Sequence, residues 1–261
     1  AAYRTAPDTL YELGAEIVPL AVSPDGFNIN ENCGAVHPQI MAAAVVAHGA
    51  DAGICLDGDA DRLIMADEAG TIIDGDQILG CLALAMQERG TLAKNAVVGT
   101  VMTNRGLETR LGKAGIDLHR VAVGDRYILE KMRQDGLNLG GEPSGHMLMT
   151  DFARSGDGLL TALQMLTLLK TSGKKASKLF NSFSPNPQRL ENLRGINPAI
   201  LQDQKLQSDL ANIEANLNGK GRVLVRPSGT EALVRVMVEA ESEALLTEAM
   251  DALILRITAE A

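Results

Sequence analysis

Residues 52–62 constrain the fold of this chain most strongly, because a short apolar run leads directly into three alternating aspartates. The run Ala-Gly-Ile-Cys-Leu is typical of a buried strand. Asp57, Asp59 and Asp61 follow it, and alternate residues of an extended segment point the same way, so we expect their carboxylates to converge. Convergent carboxylates repel one another unless a cation lies between them. Since all-oxygen ligands favour Mg²⁺, the pattern predicts a magnesium site at the carboxyl end of a strand in an α/β sheet.

Three other interpretations of the aspartate run stay open. A calcium-binding EF-hand loop counted from Asp57 would place Glu68 at its twelfth position, but its sixth position requires glycine and is Arg62 here. An acidic, solvated turn without an ion is the second interpretation. The third is a phosphatase or phosphotransferase with Asp57 as nucleophile and Asp59 as acid, which trapping by beryllofluoride at Asp57 would distinguish from a metal site.

The composition limits the class of protein. A length of 261 residues predicts two domains or three small ones, at ~100–200 residues per domain. A net charge of −9 without a long basic run argues against nucleic acid as the main partner. Three cysteines without a C-x-x-C pair favour a reducing, cytoplasmic location. No apolar stretch reaches the ~18 residues of a membrane span, so we expect no membrane partner.

Strand and helix patterns alternate along the chain. They predict a small α/β unit up to about residue 74, which includes a strand at 16–22. A second α/β unit with a largely parallel sheet is predicted from there to about residue 183. The sequence Ser-Phe-Ser-Pro-Asn-Pro at 182–187 is the clearest linker, and the element order beyond it predicts a compact α+β unit.

A glycine-rich loop, Gly-Gly-Glu-Pro-Ser-Gly-His at 140–146, carries chemically useful side chains. Its glycines permit close approach of the backbone to a ligand. Glu142, Ser144 and His146 alternate and are expected to share a face. There a carboxylate and a hydroxyl suit sugar hydroxyls, and histidine suits proton transfer near neutral pH. A tight turn with a structural histidine is the alternative.

A further loop, Arg-Pro-Ser-Gly-Thr-Glu, follows a predicted strand and suits a phosphate. Ser228, Gly229 and Thr230 offer hydroxyl and backbone donors, and Arg226 offers a bidentate charged fork. Arg235 on the next predicted strand would add a second fork. A Ser-Gly hairpin turn flanked by exposed arginines explains the same residues equally well.

Taken in this order, the aspartate run, the glycine-rich loop and the Arg-Pro-Ser-Gly-Thr-Glu loop resemble the metal, sugar-recognition and phosphate loops of the α-D-phosphohexomutase superfamily. The match spans essentially the whole chain, and three spaced motifs in order are far more specific than one. The runs Gly-Phe-Asn-Ile-Asn at 26–30 and Val-Gly-Asp-Arg-Tyr at 123–127 are similar to the bacterial phosphoglucosamine mutase branch of that superfamily.

The resemblance implies an α/β fold class with two consecutive small α/β phosphohexomutase-type domains, the first incomplete. A C-terminal α+β domain of TATA-box-binding-protein-like type would follow. Residues 1–74 would form domain 2 with the metal loop, residues 75–183 domain 3 with the sugar-recognition loop, and residues 187–261 domain 4 with the phosphate loop.

The resemblance also implies a reaction and the residues that perform it. Glucosamine 6-phosphate and glucosamine 1-phosphate would interconvert through a phosphoserine and a bisphosphorylated sugar, with Mg²⁺ as cofactor. A mutase for glucose or mannose phosphates is the alternative. The implied residues are Arg62 and His146 for catalysis; Asp57, Asp59 and Asp61 for the metal; and Glu142, Ser144, Arg226, Ser228, Gly229, Thr230 and Arg235 for the substrate.

The family's phosphorylated serine lies in a Thr-x-Ser-His-Asn motif of its first domain, and this sequence contains no such motif. We therefore expect the chain to begin within the second domain and to show no mutase turnover alone. A non-catalytic fragment that binds sugar phosphates is a further alternative. The expected partner is a small sugar phosphate rather than nucleic acid or membrane, and a homodimer stays open.

Overall fold

The computed structural model describes residues 1–227 and 233–259. The chain divides into two compact units, Ala1–Ser184 and Pro185–Ala261. The division falls inside the proline-containing segment that the sequence predicts as a linker. Among the described residues, no helix combines the length and the apolar character needed to cross a membrane.

The first unit contains a three-stranded antiparallel sheet in the order β1-β2-β3. Helix α2 packs against it, with proline in its first turn and Gly49 ending it at a left-handed φ of 62°. The side chains of Met41, Val45 and Ile64 form part of the small core between helix and sheet. This core fixes the β1–β2 hairpin, whose connection is the aspartate run. The elements are α1 (Thr5–Glu12), α2 (Pro38–His48), β1 (Ala52–Leu56), β2 (Leu63–Asp67) and β3 (Ile72–Ile73).

The strand predicted at residues 16–22 does not form. This segment has no strand pairing, and the side chains of Val18 and Leu20 are 46% and 44% exposed. A strand needs a neighbour for its backbone hydrogen bonds, and none of the strands in the described part of the chain pairs with this segment. The apolar residues of segment 16–22 therefore do not suffice to form a strand.

A second sheet in the first unit has four strands in the order β5-β4-β6-β7. Strand β4 pairs in parallel with β5 and β6, which confirms the predicted largely parallel sheet, whereas the antiparallel β7 was not predicted. The carboxyl ends of β4, β5 and β6 share one edge, where α/β sheets usually bind ligands. The strands are β4 (Ala96–Thr100), β5 (Asp117–Val121), β6 (Leu139–Gly141) and β7 (Met147–Met149). The helices are α3 (Gly75–Glu88), α4 (Arg105–Lys113), α5 (Asp125–Asp135), α6 (Gly158–Ser172) and α7 (Ala176–Leu179).

Helix α3 is central to the core of this unit, where it packs against α4, α6 and β6. The Asp74 carboxylate caps its first turn by accepting a hydrogen bond from the Gln77 backbone N–H at 2.9 Å. The Gly75 N–H donates to the Pro143 carbonyl at 3.1 Å, and a Cβ at Gly75 would lie 1.9 Å from the Glu142 carbonyl oxygen. The start of α3 therefore holds the glycine-rich loop in place.

The second unit is a three-stranded antiparallel sheet in the order β8-β10-β9 with two helices. Val234, Val236 and Val238 on the central strand pack with apolar side chains of α9, including Met250 and Leu253. This arrangement confirms the predicted α+β unit. Its elements are β8 (Gln188–Arg194), α8 (Gln204–Asn216), β9 (Gly221–Pro227), β10 (Leu233–Ala240) and α9 (Glu243–Ala259), with a 3-10 turn at Pro198–Gln202.

Candidate active site

The aspartate loop, residues 57–62, is a tight turn rather than the extended segment that we predicted. Ala60 has a left-handed φ of 66°, and its N–H donates to the Asp57 carbonyl at 3.2 Å. The prediction was wrong because the connection between antiparallel β1 and β2 has to reverse the chain. The turn itself brings the side chains together, so that one oxygen from each of Asp57, Asp59 and Asp61 lies within 4.8 Å of the others.

The charge of this loop is only partly compensated by Arg62. The Arg62 Nε atom lies 3.8 Å from Asp57 Oδ2 and 3.8 Å from Asp61 Oδ1, distances too long for hydrogen bonds. Asp61 Oδ1 is buried and has no hydrogen-bond partner among the described residues. Three clustered carboxylates, one with an unsatisfied buried oxygen, fit a hard divalent cation such as Mg²⁺.

The glycine-rich loop, residues 140–146, is joined to the aspartate loop through the backbone. Arg62 and His146 form an antiparallel bridge, and the Leu63 N–H donates to the Gly145 carbonyl at 3.0 Å. Gly145 has a φ of 93°, and a Cβ there would lie 2.1 Å from the Leu63 carbonyl oxygen, so this close approach requires glycine. Two loops that are far apart in the sequence thus form one continuous structure.

His146 faces the aspartate loop. Its Nδ1 atom lies 3.1 Å from Asp61 Oδ2, and the residue is only 6% exposed. When the neutral ring carries its proton on Nδ1, Nδ1 donates a hydrogen bond to Asp61 and Nε2 is an acceptor. Nε2 is buried and has no hydrogen-bond partner among the described residues. The structure therefore pairs His146 with Asp61 and leaves Nε2 as a buried ring nitrogen without a partner among the described residues.

Glu142 and Ser144 form a second polar group on the glycine-rich loop. Glu142 is buried, and its Oε2 accepts a hydrogen bond from the Ser144 hydroxyl at 3.2 Å. Its Oε1 accepts one from the Gly124 N–H at 2.9 Å. Two donors fix the carboxylate and leave it further lone pairs for a ligand. Sequence reasoning treated Gly124 only as part of a helix start, although the run Val-Gly-Asp-Arg-Tyr was the available signal.

Two glycines beyond this loop also support the site, and sequence reasoning did not assign them to it. A Cβ at Gly156 would lie 2.3 Å from His146 Cε1, so the imidazole packs directly on the Gly156 backbone. The Gly158 N–H donates to the Ala60 carbonyl at 2.9 Å. Asp157 between them caps α6 by accepting a hydrogen bond from the Leu160 N–H. The spacing Gly-x-Gly before an apolar helix was the signal in the sequence.

In the second unit, Arg226 on β9 and Arg235 on β10 are direct partners in the antiparallel register. Directly opposed residues project on the same face of a sheet, so two positive charges lie side by side. Burial, and then the charge of Arg235, lowers the pKa of Arg226. Arg235 Nε is buried without a hydrogen-bond partner among the described residues, which suits an anionic ligand. Ser228, Gly229 and Thr230 lie outside the described residues.

The EF-hand interpretation of the aspartate loop is wrong. The segment that follows the loop is strand β2 rather than a helix. Glu68, the would-be twelfth ligand, lies just past the far end of β2, where its carboxylate accepts hydrogen bonds from the Ser177 N–H and hydroxyl at 2.9 and 2.6 Å. It therefore belongs to a structural contact and not to the aspartate cluster.

The first unit thus brings together a carboxylate cluster, a buried histidine and a fixed carboxylate–hydroxyl pair. Chemically, such a set can bind a divalent cation, accept hydrogen bonds from a polyhydroxylated ligand and move a proton at His146.

Models of three family domains match this chain. They are the phosphoglucomutase/phosphomannomutase alpha/beta/alpha domain II at residues 1–70, alpha/beta/alpha domain III at residues 74–186 and the C-terminal domain at residues 187–256. The chain therefore belongs to the phosphoglucomutase/phosphomannomutase family, the phosphohexomutases, as the resemblance of its motifs implied.

Curated relatives carry a common name. The phosphoglucosamine mutase of Roseobacter denitrificans is 54% identical over 255 residues, which cover 97% of this chain and 57% of that protein. The phosphoglucosamine mutase of Caulobacter vibrioides is 51% identical over 246 residues, which cover 94% of this chain and 55% of that protein. The chain thus spans somewhat more than half the length of the relatives that it matches.

Solved structures share the fold. A phosphoglucomutase/phosphomannomutase family protein from Burkholderia thailandensis has a TM-score of 0.84 at 26% identity, covering 99% of this chain and 58% of that chain. The N-acetylphosphoglucosamine mutase of Aspergillus fumigatus, solved in complex with GlcNAc-6P and magnesium, has a TM-score of 0.76 at 20% identity. That match covers 98% of this chain and 60% of that chain.

Proposed function

We propose that this chain carries the metal-, sugar- and phosphate-binding parts of a phosphoglucosamine mutase, which interconverts glucosamine 6-phosphate and glucosamine 1-phosphate. The observation that carries this proposal is the junction of the aspartate loop with the glycine-rich loop, through the Arg62–His146 bridge and the 3.1 Å contact between His146 and Asp61. It sets a cation site beside a group that suits sugar hydroxyls. The shared name of relatives at 51–54% identity supports the choice of an amino sugar.

We propose the same domain division as from the sequence, with residues 1–74, 75–183 and 187–261 as family domains 2, 3 and 4. Asp57, Asp59 and Asp61 would hold Mg²⁺, the ion named for the Aspergillus structure. Bound there, Mg²⁺ neutralises charge on a transferring phosphoryl group. Arg62 lies against the same carboxylates and would orient that group.

Glu142 and Ser144 would bind the sugar. The buried Glu142 carboxylate accepts from two protein donors and can accept further hydrogen bonds from hydroxyls on either end of the ring. His146 would take the proton of the hydroxyl that is phosphorylated and return it in the reverse direction, while Asp61 orients the ring through Nδ1. Because Gly156 packs on the ring, the orientation of His146 is fixed before the substrate arrives.

The second unit would supply the phosphate-binding residues. Arg226 and Arg235 face each other across two strands and would supply two guanidinium forks. Ser228, Gly229 and Thr230 would supply hydroxyl and backbone donors. A like-charge pair without a counterion among residues 1–227 and 233–259 is the feature that supports an anion here.

A mutase for glucose or mannose phosphates is the second candidate, and the name of the matching family model favours it. The two candidates differ in the group at carbon 2 of the sugar, which is an amine in one and a hydroxyl in the other. Calorimetry with glucosamine 6-phosphate, glucose 6-phosphate and mannose 6-phosphate tests the choice. Tightest binding of glucosamine 6-phosphate is expected, and equal or tighter binding of a hexose phosphate would favour the second candidate.

Turnover and binding are expected to separate in this chain. Its 261 residues contain no Thr-x-Ser-His-Asn motif, so a coupled assay of the pure chain should show no sustained formation of glucosamine 1-phosphate. Glucosamine 6-phosphate should nevertheless bind, and Glu142→Gln should weaken binding at least fivefold, whereas the exposed control Glu88→Gln should not. A chain in which Glu142→Gln binds as the parent does would contradict the proposed sugar site.

The three cysteines are unpaired in the described structure, which fits a reducing compartment, and we propose a cytoplasmic location. Burial, with a smaller contribution from Cys33, raises the pKa of Cys55 to about 12, so this thiol is inert although it lies beside the aspartate loop.

A further inference from the structure

The first unit contains a cavity of about 410 Å³ apart from the candidate active site. Leu137, in its wall, precedes β6, whereas the glycine-rich loop follows β6, so the cavity and the loop lie at opposite ends of that strand. Thr150, also in the wall, follows the antiparallel β7 and therefore lies at the same end as Leu137. The volume falls within the ~300–1,000 Å³ that is usual for small-molecule sites.

The walls of this cavity combine apolar surface with positive charge. Leu129 supplies partly exposed aliphatic surface above the buried Met132 and Leu137, and the exposed Arg133 and Arg154 supply two guanidinium groups. Neither arginine forms an ion pair within residues 1–227 and 233–259. On a chain with a net charge of −9, two such cations at one apolar cavity are an unusual local reversal of sign.

The acidic residues next to these arginines in the sequence are engaged elsewhere. The Asp135 carboxylate lies 2.9 Å from the Lys131 ammonium. The Asp151 carboxylate accepts a hydrogen bond from the Asn138 amide at 2.6 Å. A Cβ at Gly136, in the cavity wall, would lie 3.5 Å from Lys94 Nζ, so a third cation lies close by. The cavity is therefore left with a surplus of positive charge.

We propose that this cavity binds a small organic anion, with its charged group at Arg133 and Arg154 and its apolar body on Leu129, above the buried Met132 and Leu137. The chemical class is a phosphate monoester or carboxylate of an aliphatic or aromatic group. A sugar phosphate does not fit this description, because Thr150 offers the one side-chain hydroxyl in the wall. The site is thus distinct from the proposed substrate site, and it stands independently of the proposed function.

Occupation of the cavity is transmitted to the candidate active site. Arg154 lies two residues before Gly156, whose backbone packs against the His146 ring. The same segment ends at Gly158, which donates to Ala60 in the aspartate loop. An anion that holds Arg154 restrains this segment, so the His146 ring should sense a ligand that does not touch it.

The test uses the full 261-residue chain, metal-free in EDTA, with phenyl phosphate as the probe. Binding is measured by calorimetry, and the His146 ring signals are followed by NMR. Phenyl phosphate should bind at least fivefold more tightly than inorganic phosphate, and benzyl alcohol should not bind. Arg154→Gln and Arg133→Gln should each weaken the binding of phenyl phosphate at least fivefold. Arg89→Gln, at the exposed residue that follows α3, should leave that binding unchanged.

Arg235→Gln separates this cavity from the arginine pair of the second unit. The proposal expects phenyl phosphate binding to survive that substitution and His146 signals to shift on binding. Binding that is lost in Arg235→Gln, or that persists in both cavity variants, would overturn it. Thr150→Phe should fill the cavity from an exposed position and therefore leave the fold intact. Loss of phenyl phosphate binding in this variant supports the site even if an arginine variant fails to fold. Retained binding contradicts the site.

Discussion

The aspartate loop of the first unit and the arginine pair of the second are both clusters of like charge, but the protein builds them differently. The carboxylates lie on a turn with a left-handed residue. The turn is held by a hydrogen bond from the Gly158 N–H to Ala60 and by one from the Leu63 N–H, just after the turn, to the Gly145 carbonyl. Arg226 and Arg235 lie on regular strands, and the strand register alone sets them opposite each other. Three convergent carboxylates therefore need a tertiary scaffold, whereas two opposed arginines need only a sheet.

The largest effect is expected from a substitution that disrupts the backbone junction holding the aspartate loop. Gly145→Ala should lower the free energy of unfolding of the first unit by ~2–4 kcal/mol, because its φ of 93° and a Cβ 2.1 Å from the Leu63 carbonyl leave no room for a side chain. Urea unfolding followed by circular dichroism measures the change. The control, Gly112→Ala in helix α4, has nothing within 4 Å of a new Cβ and should raise the same free energy by up to ~1 kcal/mol. Equal effects of the two substitutions would remove the argument for a glycine-dependent junction.

The next effect concerns the proposed metal ligands and not their scaffold. Asp59→Asn should weaken Mg²⁺ binding at least about tenfold, or ~1.4 kcal/mol, because one of three clustered carboxylates is lost. The exposed aspartate just before β1 provides the control, and Asp51→Asn should bind Mg²⁺ as the parent does. Calorimetry gives both affinities. An unchanged affinity in Asp59→Asn would count against the metal site while leaving the fold untouched.

The arginine pair should respond with opposite changes in binding and stability. Arg235→Gln should weaken the binding of inorganic phosphate at least about fivefold, or ~1 kcal/mol. It should also raise the free energy of unfolding of the second unit by up to ~1 kcal/mol, because the like-charge contact with Arg226 disappears. Equilibrium dialysis and thermal unfolding measure the two quantities. Arg256→Gln on α9 is the control, and a loss of phosphate binding there would show that the anion does not depend on the opposed pair.

The smallest effect contrasts these clusters with a carboxylate that has its partners. Hydrogen bonds from the Ser177 hydroxyl and then its N–H lower the pKa of Glu68. A depressed pKa contributes stability that is complete above the unfolded value of about 4.3 and is lost as the pH falls through the folded value. Glu68→Gln should therefore destabilise the chain most at neutral pH, and the difference from the parent should shrink in acid. Unfolding midpoints between pH 3 and pH 7 measure this, with Glu88→Gln as the control; a constant difference across that range would reject the coupling.

Several parts of this molecule follow from local pattern. Strand β4 is a buried, largely apolar run, the Asn104 side chain caps the start of α4, and α5 ends at Gly136. Strand β7 was not predicted because its three residues, Met147–Met149, are too few to show a hydrophobic period. The segment 16–22 was predicted as a strand because local pattern cannot report whether a neighbouring strand is present.

The sequence alone determined the order of the elements and the chemical types at each candidate site, since apolar periodicity and side-chain chemistry are properties of short stretches. It also carried the motifs that identify the family. Only the tertiary structure decided which groups meet. His146 is paired with Asp61, Glu142 with Gly124, and Gly156 with the His146 ring, because these contacts depend on backbone approaches between segments that no local rule connects.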